Sequence, residues 1–385
     1  MRIAFYAPMK SPTHSTPSGD QRVARYYLDA LERGGHRVEL VSTFRSYDGA
    51  GDAQRQGALR EQGRALAARL AWQWRTGALE SRPDIWFTYH VYYKAPDWLG
   101  PQVSEELGIP YLIAEGSHAA KRAAGPWAIG HEAAAAALRR ADLVISPTRH
   151  DIAGLSVLAA PERIVLIEPF LEVGPFRDAA SGRAARRARL AGLHGVERSA
   201  PWIAVAAMMR PGDKLASYRA LARALARVLD LDWRVLIAGD GAGRAEVESA
   251  MNGALPGRAV FLGALGQPEI AALFAASDLS VWPACNEAYG MAMLEAQAAG
   301  LPVVSCRARG VPDVVVEGIT GLLAPPQDDG ALAELVRALL LDPERRAAMG
   351  RRAAEFVASS RSLESAARRV GQALERAAAN RRERA

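Results

Sequence analysis

Lysine is scarce in this 385-residue chain: of 48 basic residues only Lys10, Lys94, Lys121 and Lys214 are not arginine. Each lysine therefore marks a position where composition alone would supply arginine. Two cysteines, Cys285 and Cys306, are too few for a disulfide framework, a four-cysteine metal site or a CxxC pair, which fits a reducing cytoplasm. No uncharged apolar run approaches the ~20 residues of a membrane span. The opening MRIAFYAPMK is too short for a signal-peptide core and reads as a strand. Integral membrane and secreted classes are disfavoured. A surplus of positive charge, too, is missing from most of the chain. The net charge is +6, yet eleven arginines against four glutamates follow from Arg345 onward, which leaves residues 1–344 close to neutral. A basic tail on a neutral body weighs against a nucleic-acid partner.

What is present is a repeated alternation. Short runs that are apolar throughout suit parallel strands covered on both faces. RIAFYAP, VELVST, DIWFTYH, YLIAEG, ADLVISP and RIVLIEP lie in the first half, and WIAVAAMM, WRVLIAGD, AVFLG, LSVWP, PVVSC and TGLLAP in the second. Amphipathic stretches of helical period separate them, so the fold class is α/β, with two Rossmann-like, doubly wound parallel sheets. The expected organisation is a first domain over 1–170, a connection over 171–200, a second domain over 201–360, and a C-terminal helix and basic tail over 361–385. The basic run SGRAARRAR within the connection reads as a solvated helix face in preference to a phosphate or membrane contact. Ligands of open parallel sheets collect beyond the carboxyl ends of the strands. Polar residues just after strands are therefore the candidates.

Several motifs can be set aside. IAGDGAG at 237–243 is GxGxG, with Arg244 where a dinucleotide fingerprint needs its last glycine. Asp230 and Asp232 form a DxD, but it precedes strand WRVLIAGD, the wrong end of a sheet for a diphosphate metal, and reads as a structural turn. No Walker sequence, HExxH or GxSxG occurs.

The segment CNEAYGMAMLEAQAAGLPVVSC carries more. On one continuous helix, the eight residues from Glu287 to Glu295 would leave the two carboxylates roughly 80° apart around the axis and about 12 Å apart along it. That spacing excludes a paired acid/base site. The alternative puts Glu287 in the loop after LSVWP, with Gly290 opening a helix and Glu295 about a turn inside. The free N–H groups at Gly290 and Met291 then suit an anion, and Glu295 suits vicinal hydroxyls. Two glutamates on a solvated face would be the plain alternative. MMRPGDK at 208–214 follows the first strand of the second series and places Arg210 and Lys214 at the same sheet end. Two cations there can neutralise a departing diphosphate, although charges at a helix start are common.

From about Trp202 to Met349 the chain resembles the family 4 retaining, nucleotide-sugar-dependent glycosyltransferases of GT-B fold. The resemblance rests on the Arg/Lys turn, AGDGAG, FLGALGQPEIAALFAASDLSVWP, the Glu-x7-Glu segment, AGLPVVSCRARGVPDVVVEGITGLLAP and DPERRAAMGRRA. It implies two domains facing across a cleft, the second binding donor and the first acceptor, with the last helix crossing back to brace the first. Matched by position, Glu287 resembles the residue contacting donor-sugar hydroxyls and Glu295 the one holding the ribose. Arg210 and Lys214 resemble the diphosphate pair, and Gly290 and Met291 the backbone donors. Two departures stand out. Arg210 lies four residues before the lysine, where the family places its arginine about five before, at Met209 here. In the segment read as GGxPE, Arg309 replaces the first glycine and Asp313 the glutamate.

In the first half the likeness is weaker. Gly19, in PSGDQRVARYY, resembles the glycine that approaches the diphosphate, and a helix start capped by Ser18 is the competing reading. His118, closing YLIAEGSH, resembles the family's cleft histidine beside the donor sugar, with Glu115 as a nearby alternative. The aromatics of YHVYYKAPDW and Trp127 suit core packing better than stacking on an acceptor. The implied activity is transfer of a sugar from a nucleoside diphosphate sugar to a glycan, lipid-linked or small-molecule hydroxyl, with retention, no cofactor and no metal. A degenerate sugar- or partner-binding module and a pyridoxal phosphate phosphorylase remain as alternatives; an epimerase fits less well. The basic tail reads as a solvated brace, with contact to an anionic membrane as the sharper hypothesis, and the expected location is cytoplasmic or membrane-peripheral.

Overall fold

Strands form where the chain is apolar at nearly every position. The computed structural model, which describes residues 1–16, 18–80 and 82–384, arranges twelve of them in two six-stranded parallel sheets. Each sheet is the centre of one unit: Met1–Glu168 with Leu363–Ala385, and Pro169–Ser362. The first unit contains β1 (Arg2–Tyr6), α1 (Gly19–Arg33), β2 (Arg37–Ser42), α2 (Ala53–Thr76), β3 (Ile85–Val91) and α3 (Gly100–Leu107). It continues through β4 (Tyr111–Gly116), α4 (Ala128–Arg140), β5 (Leu143–Ser146), α5 (Arg149–Leu155) and β6 (Ile164–Leu166). The strand order β2-β1-β3-β4-β5-β6 reverses between β1 and β3. One face packs Trp74 of α2, Val103 of α3 and Leu138 of α4 on Tyr6, Trp86 and Tyr111 of the strands. Buried Asp97 accepts hydrogen bonds from Thr88, Tyr111 and the N–H groups of Leu99 and Gly100, which ties the start of α3 to the sheet.

The second unit opens with α6 (Gly174–Ser181) and α7 (Arg183–His194). Then follow β7 (Trp202–Ala206), α8 (Asp213–Ala226), β8 (Arg234–Ala238), α9 (Arg244–Ala254), β9 (Ala259–Gly263) and α10 (Gln267–Ala276). Beyond these come β10 (Leu279–Trp282), α11 (Met291–Ala298), β11 (Val303–Cys306), α12 (Val311–Val314), β12 (Gly321–Ala324), α13 (Asp329–Leu341) and α14 (Pro343–Ser360). Here the order is β12-β11-β10-β7-β8-β9, reversing between β7 and β10. The fully buried Trp86, Trp202 and Trp233 each satisfy their indole N–H at 2.8 Å, on Thr88 Oγ1, Glu197 O and Val228 O. A buried aromatic whose polar tip is paired adds area without an orphan donor, and truncating one costs about 3–5 kcal/mol.

Residues 171–200 differ from the expected connection. They fold as α6 and α7 of the second unit and pack on α10. The basic run is not a solvated face throughout. Arg183 bonds the carbonyls of Ala275 and Ser277, and Arg187 that of Ala276 at 2.7 Å, while both reach Asp278. Cations at a helix C-terminus satisfy its open carbonyls and its dipole.

The final helix, α15 (Leu363–Arg384), belongs to the first unit and packs on α1. Arg369 meets Glu168 at 2.6 Å and Arg384 meets buried Asp142 at 3.0 Å, so part of the basic surplus is spent inside this unit. Among the described residues no helix is long and apolar enough to cross a membrane.

Candidate functional site

A parallel sheet leaves a crevice at the carboxyl ends of its strands where the strand order reverses. In the second unit that place lies between β7 and β10. The loop leaving β7 passes close under the glycine-rich turn after β8: a Cβ at Gly239 would lie 1.9 Å from the carbonyl oxygen of Ala207. The GxGxG sequence is thus a packing device that brings two turns together beside the crevice.

Lys214, in the first turn of α8, is ion-paired to Glu287 in the loop after β10. Trp282 Nε1–H also donates to Glu287 Oε2 at 3.3 Å, and Lys214 Nζ lies 5.4 Å from the Trp282 ring centroid. The loop itself is held by α8. Asn286 Nδ2 donates to Asp213 Oδ2 at 2.9 Å, and Cys285 N–H donates to Ser217 Oγ at 3.0 Å. Ala284 and Asn286 both have positive φ, 58° and 53°, a conformation that costs non-glycine residues energy and gathers at functional sites.

Gly290 closes the loop and precedes α11. At φ 81° it is left-handed, a conformation that glycine adopts without strain, and a Cβ there would also push against the end of the Met293 side chain. No side chain caps α11, so the N–H groups from Met291 onward lack a capping side chain. Glu295 sits inside the helix and is buried, 4% exposed.

Of the cations singled out in the sequence, the structure joins Lys214 to Glu287 but leaves Arg210 apart. Arg210 is exposed with its guanidinium against Met208 Sδ. Met209, one residue earlier, is fully buried, with its backbone N–H and carbonyl bonded to Asp240 and Gly243. Burial at 209 has no room for a cation, which accounts for the displaced arginine. Asp313, buried in α12, has its carbonyl bonded by Arg361 at 3.3 Å. Asp230 pairs with Arg337 at 2.6 Å and Asp232 with Arg234 at 2.7 Å, which makes the DxD a structural ion-pair turn. Among the described residues no cluster of three or more His, Cys, Asp or Glu is arranged to hold a metal ion.

In the first unit, Gly19 opens α1 behind the Ser18 cap, and among the described residues nothing beyond its chain neighbours and its own helix backbone lies within 4 Å of where its Cβ would be. Packing does not require glycine there. His118 follows β4 and its ring lies tilted against that of His131, with centroids 4.9 Å apart. Burial, then the neighbouring His131 and Arg139, lower its pKa and favour the neutral ring. At the reversal between β1 and β3, His90 Nδ1 meets Asp20 Oδ1 at 2.5 Å. Burial opposes charge on His90, but the Asp20 hydrogen bond and the carboxylates of Asp20, Glu115 and Asp151 raise its pKa to about 9. His90 and Glu115, at the ends of neighbouring strands, both have left-handed φ, 63° and 60°. Sequence reasoning missed this pair, because 70 residues separate its members and only the strand order makes them neighbours. The aromatic segment divides: Tyr89 is core, whereas Tyr92, Tyr93 and Trp127 are half-buried in an edge-to-face series.

The family described as glycosyl transferases group 1 matches residues 215–356. A D-inositol 3-phosphate glycosyltransferase of Corynebacterium efficiens is 33% identical over 229 residues, covering 56% of this chain and 52% of that protein. The chain spans about half the length, or less, of the first curated relatives it matches. Among solved structures, sucrose-phosphate synthase from Thermosynechococcus elongatus superposes with a TM-score of 0.72 at 21% identity, covering 96% of this chain and 97% of that one. An Anabaena protein, HepE, in complex with UDP superposes with 0.73 at 17% identity, covering 97% and 100%. At these identities the structural matches establish the two-sheet fold.

Proposed function

For a chain that belongs to the GT-B, family 4 type of group 1 glycosyl transferases, we propose the transfer of a sugar from a nucleoside diphosphate sugar to an acceptor hydroxyl with retention at the anomeric carbon. The second unit takes the donor and the first unit the acceptor. The observation that carries this is the Lys214–Glu287 pair at the β7/β10 reversal, beside a helix opened by Gly290. Before donor arrives, the two charges hold each other in place. A diphosphate takes over Lys214 together with the N–H groups at Gly290 and Met291, and releases Glu287 to the sugar hydroxyls. Arg210 reaches the same diphosphate by moving its exposed side chain, and Glu295 holds the ribose. Gly19 and His118 contribute from the first unit, the neutral ring of His118 beside the donor sugar.

The bond from the anomeric carbon to the diphosphate oxygen breaks, the acceptor oxygen bonds to that carbon, and the acceptor proton passes to the departing phosphate. The acceptor approaches from the face that the nucleotide leaves. No step is assigned to a metal. A Schiff-base lysine would have to be a neutral amine, and Lys214 instead sits on a carboxylate. The acceptor is a glycan, a lipid-linked sugar or a small molecule. The first curated relative's name points to a small phosphorylated one. The site of action is cytoplasmic. Contact with an anionic membrane falls to the exposed Arg368, Arg376 and Arg382 of α15 and is checked by sedimentation with anionic vesicles.

The decisive experiment incubates the full chain with UDP-, GDP- and ADP-sugars and follows thermal shift and nucleotide release. One nucleotide class stabilises the protein and is turned over. Stabilisation by none of them sinks the reading.

A further inference from the structure

The half-buried strip after β3 carries two cations that have no counter-ion among the described residues. Tyr93 and Trp127 meet edge to face with centroids 5.7 Å apart. Lys94 Nζ lies 4.7 Å from the Trp127 centroid and 5.9 Å from that of Tyr93, and the Arg122 guanidinium lies 5.4 Å from both. Among the described residues neither cation has a carboxylate or a hydrogen-bond acceptor for its side chain. Unlike the exposed Arg368, Arg376 and Arg382 of α15, both are half-buried, and both lie over the same two rings. Asp48, whose N–H bonds the Lys94 carbonyl at 2.8 Å, does not serve either cation. Its carboxylate is buried and accepts from the N–H groups of Ala50 and Asp52 and from the Gln56 amide.

The strip is also held in shape without a ligand. Trp127 Nε1–H donates to the Asp48 carbonyl at 3.0 Å. Gln56 joins the same loops by donating to the Pro126 carbonyl at 2.8 Å and accepting from Gly130 N–H at 3.0 Å. Tyr92 continues the series inward to His90, with centroids 4.9 Å apart. The whole arrangement follows the carboxyl ends of β3 and β4, the end of the sheet that also carries His118. Lys94 is one of only four lysines, and Lys121, exposed beside Arg122, is another.

Aromatic faces take the C–H face of a ring, and a lysine and an arginine left unpaired take an oxyanion by charge-assisted hydrogen bonds. We propose that Tyr93, Trp127, Lys94 and Arg122 form an acceptor subsite for an anionic ring, a sugar or related polyol that bears a phosphate or carboxylate. The inference rests on the assignment of the acceptor to the first unit.

Titration of the full chain tests it, with heat and tryptophan fluorescence as readouts and with UDP, GDP or ADP present, whichever stabilises the protein. The probes are hexose and cyclitol phosphates and uronates, set against their neutral parents and inorganic phosphate. The expected result is at least one anionic ring bound tenfold or more tightly than both its neutral parent and inorganic phosphate. K94A/R122A loses that tenfold while keeping the nucleotide-induced thermal shift; R122Q, milder for folding, loses part of it. Phosphate-bearing and carboxylate-bearing probes distinguish the two sources of charge. Neutral rings binding as well, inorganic phosphate accounting for all the affinity, or K94A/R122A binding unchanged would each overturn the subsite. Absence of any nucleotide-induced shift would instead overturn the donor reading above.

Discussion

The two units build the working ends of their sheets by different means. In the second, Glu287, Gly290, Met291 and Glu295 lie within nine consecutive residues, and Lys214 comes from the neighbouring turn across the β7/β10 reversal. In the first, Asp20, His90 and Glu115 come from three separated segments and meet only because β1, β3 and β4 are adjacent. A site written into one loop and helix survives as a local signature, whereas one assembled by strand order leaves little trace in any single segment. The difference also concerns charge: the second unit pairs a lysine with a glutamate, and the first fixes a histidinium against its own aspartate.

The sharpest way to break the comparison is at the local site. Lys214→Ala or Glu287→Gln is expected to lower sugar turnover about 10²- to 10³-fold with the fold kept, read by nucleotide release and by circular dichroism. A variant retaining wild-type turnover would remove the second unit's site. A smaller, pH-dependent effect belongs to the first unit. Because the folded-state pKa of His90 is raised to about 9, above the ordinary value of ~6.5, the Asp20–His90 pair stabilises fully below about pH 6.5. That contribution is lost as pH rises through about 9. Asp20→Asn should therefore cost on the order of 2 kcal/mol near pH 6 and progressively less toward pH 10, measured by urea unfolding across that range. An Asp20→Asn penalty independent of pH would contradict the histidinium assignment. The smallest effect is expected at the opposite end of the second sheet: Asp230→Asn, which removes the Arg337 pair, should leave turnover unchanged. A loss there would overturn the reading of the DxD as a structural turn.

Much of the fold was legible because parallel strands covered on both faces must be apolar throughout. RIAFYAP, WRVLIAGD and PVVSC each announced a strand that the structure contains as β1, β8 and β11. The segment 171–200 was not legible in the same way. Its glycines and arginines suggested a linker, yet Arg183 and Arg187 are consumed by the end of α10, a partner 90 residues away. Arg210 was chosen for its charge, but its exposure and the burial of Met209 were fixed by the packing of the β7 turn under Gly239 and Gly241. The aromatics after β3 looked like core material. Tyr89 is, and Tyr93 and Trp127 are only half-buried, because the loops bearing them lie beyond the strand ends.

By itself the sequence determined the α/β class, the two sheets, the glutamate segment with its glycine, and the family, because each depends on periodicity or on residues close in the chain. Only the tertiary structure decided which strands are neighbours, and with that the Asp20–His90 pair, the spent arginines of α7 and α15, and the unspent Lys94 and Arg122. Whether a charge is paired depends on what lies opposite it in space, and strand order and helix docking set that through burial summed over the whole chain.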